Sequence, residues 1–275
     1  MMRALVKFPL ISTLMVLFLL SGATIKVLIS NRWSARLVQR LAMATSKIAL
    51  FILGVRIRST SMEGLQSTAG SLIVSNHLSY LDILVFASIR EVTFVTSVEI
   101  RDTPVLGWMS RTAGCKFVER RSREFINQEI ECLRNAMLSG QSIVLFPEAT
   151  STDGRTVKPF KISMFGSVEG TGIMVYPCAI RYNIRGSFPM DRIAQDAIHW
   201  YGSMRFFPHL WRMCMIKRIY AQVEVMPPHS ALTHSTRNEL ADVCHQDILK
   251  RYHSMSHSGM LWDAAVRTHG ITLTS

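Results

Sequence analysis

Between Phe8 and Ile25 the chain carries no charged side chain, and Lys26 ends a run of eighteen residues. That is about the shortest apolar stretch that crosses a bilayer as a helix. Such a segment is either kept as a membrane anchor or removed as a signal peptide. The second reading has support, because Arg3 and Lys7 precede the apolar core and Ser21 and Ala23 are small residues where cleavage would fall. The anchor is the reading carried forward, because the next segment also suits a membrane. From Trp33 to Ile57, Arg36, Arg40 and Lys47 mix with Leu37, Leu41, Ile48, Leu50, Phe51 and Leu53 as in a basic, partly amphipathic helix lying in the interface. The two segments together make a membrane-seated helical hairpin over residues 1–57. Lys26, Arg32, Arg36 and Arg40 after the apolar run outnumber Arg3 and Lys7 before it, so the positive-inside rule puts the rest of the chain in the cytoplasm, at the inner membrane if the cell is bacterial.

The composition agrees with a membrane surface. Charged residues are 18% and apolar ones 48%, greasy for a soluble protein and too polar for a multispanning carrier. The net charge of +12 calls for an anionic partner. The basic residues are dispersed, and the first of them flank apolar runs, which favours acidic lipid over nucleic acid. Five cysteines, odd in number and without a CxxC pair, signal neither a disulfide framework nor a zinc knuckle, and a reducing compartment is the simplest reading.

After residue 57 the pattern changes to short β-branched runs separated by helices. Leu72–Ser75, Val92–Thr96, Cys115–Val118, Ser142–Phe146, Ile173–Tyr176 and Ala221–Val225 read as strands. A helix from Arg123 to Leu138 has Ile126, Ile130, Leu133 and Met137 on one face and Gly140 as its stop. A final amphipathic helix runs from Thr236 to Tyr252. Alternation of this kind implies an α/β fold, a mixed sheet flanked by helices. Residues 58–255 read as one domain, with no repeat or long linker, and residues 256–275 as a tail.

Two short constellations carry chemistry. Asn76-His77-Leu78-Ser79-Tyr80-Leu81-Asp82 follows the first strand of the domain. On a continuous helix, residues five apart are separated by roughly 140°, so His77 and Asp82 meet only across a strand-to-helix turn. If they do, Asp82 fixes the tautomer of His77 and stabilises its imidazolium while the other nitrogen takes a proton from a hydroxyl. The bland alternative is a capping box, Ser79-x-x-Asp82. The second constellation is Phe146-Pro147-Glu148-Ala149-Thr150, where a loop bearing Glu and Thr projects from the carboxyl end of the most apolar strand. The bland alternative there is a proline ending a strand before a solvated Glu.

These residues resemble a known family. Asn76 to Asp82 looks like the N-H-x-x-x-x-D motif, and Phe146 to Thr150 like the F-P-E-G-T motif, of glycerolipid acyltransferases of the 1-acyl-glycerol-3-phosphate acyltransferase type. Gly114 to Arg120 resembles the family's G-x-x-F-[IV]-x-R segment, Val175 to Ile180 its hydrophobic block around a proline, and Phe160-Lys161 its F-K pair. The resemblance implies a single acyltransferase domain that moves a fatty acyl group from acyl-CoA or acyl carrier protein, as co-substrate, to the hydroxyl of a lysophospholipid, first of all 1-acyl-glycerol-3-phosphate. Other lyso-lipids, of the lyso-ornithine or lysophosphatidylcholine type, are the alternative acceptors. It implies no further cofactor. His77 becomes the general base and Asp82 its orienting partner. Asn76, Arg120, Glu148, Thr150 and Lys161 become the substrate-binding set, with Arg120 suited to bidentate phosphate binding. Glu148 repels phosphate, so its expected task is an acceptor hydroxyl or the positioning of Arg120 or Lys161.

Two positions depart from the family pattern. The Gly of F-P-E-G-T is Ala149, which argues for a loop conformation open to non-glycine residues. The Lys of a K-x-E segment is Ser97, two before Glu99, which leaves backbone amides as oxyanion donors. Both departures bear on the acceptor more than on the reaction. No G-x-S-x-G elbow, P-loop or H-E-x-x-H occurs. His253 and His257, four apart, read as exposed tail residues, and no metal is assigned. The aromatic and basic stretch from His199 to Tyr220 suits a membrane interface, with core packing as the strongest rival. Two rivals to an enzyme remain, a secreted basic binding protein and an inactive lipid-binding member of the same fold.

Overall fold

The computed structural model describes residues 1–29, 32–59, 65, 69–119, 125–184, 192–234 and 236–269, with side chains of the last helix described to residue 255. Two helices come first, α1 (Met2–Leu28) and α2 (Arg32–Leu53), followed by β1 (Val55–Ser59) and β2 (Leu72–Ser75). Then follow α3 (Leu81–Ile89), β3 (Thr93–Ser97), α4 (Val98–Arg101), α5 (Leu106–Thr112), β4 (Lys116–Val118), α6 (Ile126–Leu138) and β5 (Ile143–Leu145). After a 3-10 turn at Ser163–Ser167 the chain makes β6 (Met174–Asn183), α7 (Arg192–Ile198), α8 (Phe206–Met215), β7 (Ile219–Val225), β8 (His229–Ser230) and α9 (Arg237–His269).

Among the described residues the strands form one sheet in the order β1-β7-β6-β2-β5-β3-β4, with β8 on β6. Strands β6, β2, β5, β3 and β4 run parallel, while β7 is antiparallel to β6. The sheet is mixed, as the strand pattern implies. Strands β2 and β5 are buried at every position, which is why they read as unbroken apolar runs rather than alternating ones. Because the five strands share a direction, the residues after Ser75, Ser97, Val118 and Leu145 all emerge along one edge of the sheet. That edge is where ligands sit in sheets of this type.

Three expectations need correction. The basic helix read to Ile57 ends at Leu53, and Val55–Ser59 is an edge strand parallel to β7. Gly54, at φ 77°, provides the left-handed turn that ends the helix, and the β-branched alternation of Val55 and Ile57 then takes over. Pro177 does not end its strand, since β6 runs to Asn183. The proline forfeits only one donor, and its carbonyl still accepts from Met226 N–H at 2.9 Å. The last helix starts as read, with Thr236 Oγ1 capping Glu239 N–H at 3.2 Å, but continues to His269.

Helix α1 lies lengthwise along the body, packed on α2, α5 and α8. Its inner face, Ala4, Ile11, Phe18 and Gly22, is buried, while Leu5, Val6, Leu10, Val16, Leu17 and Leu20 face outward. Both ends are tied down. Lys7 Nζ donates to Leu53 O at 2.6 Å and Ile216 O at 2.8 Å, capping the carboxyl ends of α2 and α8 together, and Lys26 Nζ donates to Arg111 O at 2.5 Å. By length and composition α1 is apolar enough to cross a membrane.

Candidate active site

The turn after β2 brings His77 and Asp82 together. Leu78 to Tyr80 form the turn and Asp82 lies in the first turn of α3, where its carboxylate faces back toward the strand. His77 Nδ1 and Asp82 Oδ2 are 2.7 Å apart. The same oxygen accepts from the N–H of Leu78 at 2.7 Å and of Ser79 at 3.1 Å, while Oδ1 accepts from the Tyr182 hydroxyl at 2.6 Å. Asp82 is 0% exposed, so those four donors replace water around its charge. The capping reading is not an alternative after all, since the carboxylate serves the turn and the histidine at once.

With Nδ1 engaged, Nε2 of His77 is the nitrogen left for a reactant. The ring stacks on Phe146 at 4.2 Å and 16°, and it lines a cleft. Ser97, Thr150, Trp200 and Tyr201 are among the other walls. A second, apolar groove opens beside it, walled by Ile11, Leu14, Met15 and Phe18 of α1 and by residues of α2, α3, α5 and α8. Tyr80, Ile83, Phe94, Leu106, Ser110 and Cys115 line both, so the two spaces adjoin along these residues. At that junction Tyr80 donates to His209 Nδ1 at 2.9 Å, and burial lowers His209 to about 4, keeping it neutral. Apolar surroundings push the Cys115 thiol up to about 12, so it is no nucleophile at neutral pH.

The remaining expected site residues fall in three places. Thr150 lines the cleft and is exposed. Lys161 lies in a side recess with Glu119, Phe146 and Ala149, its N–H donating to Pro147 O at 2.8 Å. Arg120 lies outside the described residues, one position beyond Glu119. Two residues turn away from the cleft. Asn76 is buried, its amide exchanging hydrogen bonds with the backbone of Ile180 at 3.0 and 2.8 Å, which pins the end of β2 to β6. Glu148 is 4% exposed, with Oε1 accepting from His77 N–H and Oε2 from Lys158 N–H, each at 2.7 Å. Burial raises its carboxyl to about 7 against the pull of those two donors.

Ala149 contradicts its expectation. It stands at φ 60°, in the left-handed region, so the loop keeps the conformation a glycine would take. The aromatic stretch from His199 divides. Trp200 and Tyr201 belong to the cleft, with Trp200 N–H donating to Leu78 O at 2.9 Å. Phe207 stays half-exposed beside Phe8 of α1. Tyr182 had no local signal, since it stands a hundred residues from Asp82 and reads as one more strand aromatic. Among the described residues no three His, Cys, Asp or Glu side chains are grouped to hold a metal ion.

Comparison with known proteins adds the following. A family profile described as Acyltransferase matches residues 56–181. A lyso-ornithine lipid O-acyltransferase of Brucella abortus is 30% identical over 220 residues, covering 78% of this chain and 80% of that one. A 1-acyl-sn-glycerol-3-phosphate acyltransferase of Neisseria gonorrhoeae is 30% identical over 179 residues, covering 65% and 68%. The crystal structure of the 1-acyl-sn-glycerophosphate acyltransferase PlsC from Thermotoga maritima has the same fold, with a TM-score of 0.66 at 20% identity over 92% of this chain and 95% of that one.

Proposed function

The chain belongs to the lysophospholipid acyltransferase family and is an O-acyltransferase, and from that premise we propose that His77 is the base that moves a fatty acyl group from an acyl thioester to a lyso-lipid hydroxyl. One observation carries this reading: a histidine whose Nδ1 is committed to a buried carboxylate, on the wall of a cleft that adjoins an apolar groove. With Nδ1–H donated to Asp82, Nε2 takes the proton from the acceptor hydroxyl as its oxygen attacks the thioester carbonyl. Asp82 stabilises the imidazolium. The tetrahedral intermediate then collapses by breaking the carbon–sulfur bond, and Nε2 returns the proton to the departing thiolate. The groove under α1 suits the fatty chain, since burying hydrocarbon there is worth about 0.8 kcal/mol per methylene.

Two acceptors have specific support. A lyso-ornithine lipid is favoured by the Brucella relative and by Ser97, which puts no positive charge on the cleft wall. The phosphate-bearing acceptor expected from the motifs is favoured by the Neisseria relative and by Arg120, Thr150 and Lys161 as candidate ligands. The thioester is acyl-CoA or acyl carrier protein, and a cytoplasmic-facing body, inner-membrane in a bacterium, gives access to both. Helix α1 is read as lying in one leaflet with its outer apolar face in lipid, because a helix held to the body at both ends cannot stand away from it.

Purified protein with labelled acyl thioesters and a panel of lyso-lipids tests the reading. Transfer is expected to one acceptor class, and folded His77→Ala protein should lose about 10²–10⁴-fold in rate. Wild-type turnover by that variant would end the proposal.

A further inference from the structure

Glu148 stands out as a buried carboxylate next to the reacting histidine with no oxygen turned toward the cleft. The cleft wall takes Phe146, Ala149 and Thr150 from this loop and leaves Glu148 behind them. Its oxygens are both spent on backbone N–H groups, of His77 and of Lys158, at 2.7 Å. On the other side of the same residue, the carbonyl of His77 accepts from Thr152 N–H at 3.0 Å, with the Thr152 hydroxyl at 3.3 Å. The peptide groups flanking His77 are thus gripped on both sides by the loop Phe146–Thr152. The left-handed turn at Ala149 makes this possible, sending residue 148 inward and residue 150 outward.

From this geometry we infer that Glu148 is a positioning residue, which holds the backbone of His77 and thereby the distance from Nε2 to the bound hydroxyl, and that it is not a ligand of the acceptor. The inference rests on His77 being the base. A carboxylate suits the task because it offers acceptors on both oxygens to two donors that converge from opposite sides. A glutamine satisfies only one of them and turns its own NH₂ on the other. An aspartate is one methylene short of reaching both. Asp82 and the Phe146 ring fix the imidazole itself, so loss of the Glu148 contact leaves the ring's tautomer intact and shifts the whole residue. Displacements of about 1 Å at a reacting group cost on the order of 10²-fold in rate.

The test is steady-state kinetics on Glu148→Gln with the acceptor and donor found for the wild type, together with the melting temperature and hydrogen exchange at the His77 amide. Expected are a kcat lower by about 10²-fold, KM values for both substrates within about twofold of wild type, and faster exchange at His77. A raised acceptor KM with near-normal kcat would make Glu148 an acceptor ligand and overturn the inference. Should Glu148→Gln fail to accumulate as folded protein, Glu148→Asp takes its place. It keeps the charge and loses the reach, so positioning predicts the same fall in kcat, and a wild-type kcat overturns it. The two readings separate cleanly, because an active His77→Ala protein removes the base, whereas an inactive His77→Ala beside a normal Glu148→Gln removes only the positioning role.

Discussion

Replacing Asp82 with asparagine separates the two roles proposed for its carboxylate, orienting His77 and stabilising the imidazolium. An asparagine has one oxygen and one NH₂ to put where Asp82 has two oxygens. Three donors converge on Oδ2, two of them the backbone N–H groups of Leu78 and Ser79, which do not rearrange. The amide oxygen is therefore drawn to that position and continues to accept from His77 Nδ1–H, and the reactive tautomer survives. What is lost is the negative charge facing the imidazolium. A hydrogen bond to a charged group contributes about 1.5–3 kcal/mol and a neutral one about 0.5–1.5 kcal/mol, so the rate should fall by about 1–2 kcal/mol, roughly 5–30-fold. The NH₂ now faces the Tyr182 hydroxyl, whose oxygen accepts from it only when its own proton gives up the bond it made to the carboxylate. Tyr182→Phe should then cost about 1.5–3 kcal/mol in the native background but much less beside Asn at position 82. For a domain of this size that is several degrees of melting temperature in one background and little in the other. Thermal melts of the four proteins and kcat/KM for the asparagine variant supply the data. An asparagine variant that folds yet is as dead as His77→Ala would refute the claim that the backbone donors fix the orientation.

Two further outcomes follow from the same structure. Ala149→Gly should raise the melting temperature by up to a few degrees at unchanged activity, because a left-handed alanine costs about 1–2 kcal/mol and the added glycine entropy returns about 0.5–1 kcal/mol; a lower melting temperature in a thermal scan would contradict this. Full-length protein should stay with the membrane fraction in high salt and leave it only with detergent, since the outer face of α1 is apolar rather than ionic; recovery in the soluble fraction by salt alone, followed by immunoblot or activity, would contradict it.

The sequence was most legible where one residue type has one use. Strands β2 and β5, apolar on both faces, stand within a residue or two of where their composition puts them, and the His77–Asp82 pair follows from a spacing that only a turn can close. It was least legible where the determinant is a distant partner. Tyr182 carries no local mark of its bond to Asp82, and Asn76 and Glu148 look like ligands because polar residues beside a catalytic histidine usually are. Each satisfies backbone groups of a neighbouring strand or loop, a demand invisible until the sheet order is known. Val55 to Ile57 were drawn into a helix because apolar and basic residues alternate there as they do along α2. The methyl of Ala149 argues against a left-handed backbone, yet φ is 60° there, next to the residue that bonds His77 N–H.

The double cap on Lys7 has a bearing on how the protein is made. Its two carbonyl partners lie 46 and 209 residues further along the chain. At about 5–20 residues per second, the second of them leaves the ribosome on the order of 10–40 seconds after the lysine. During that interval α1 can pack on α2 and later on α5, but the part of its surface that packs on α8 has no protein partner, and a bilayer is a large apolar partner within reach. On the membrane reading proposed above, the helix is expected to meet lipid before it meets α8, and the body to close over an element already seated at the bilayer. Nascent chains arrested before Ile216 should accordingly sediment with membranes although the cap on α8 does not yet exist.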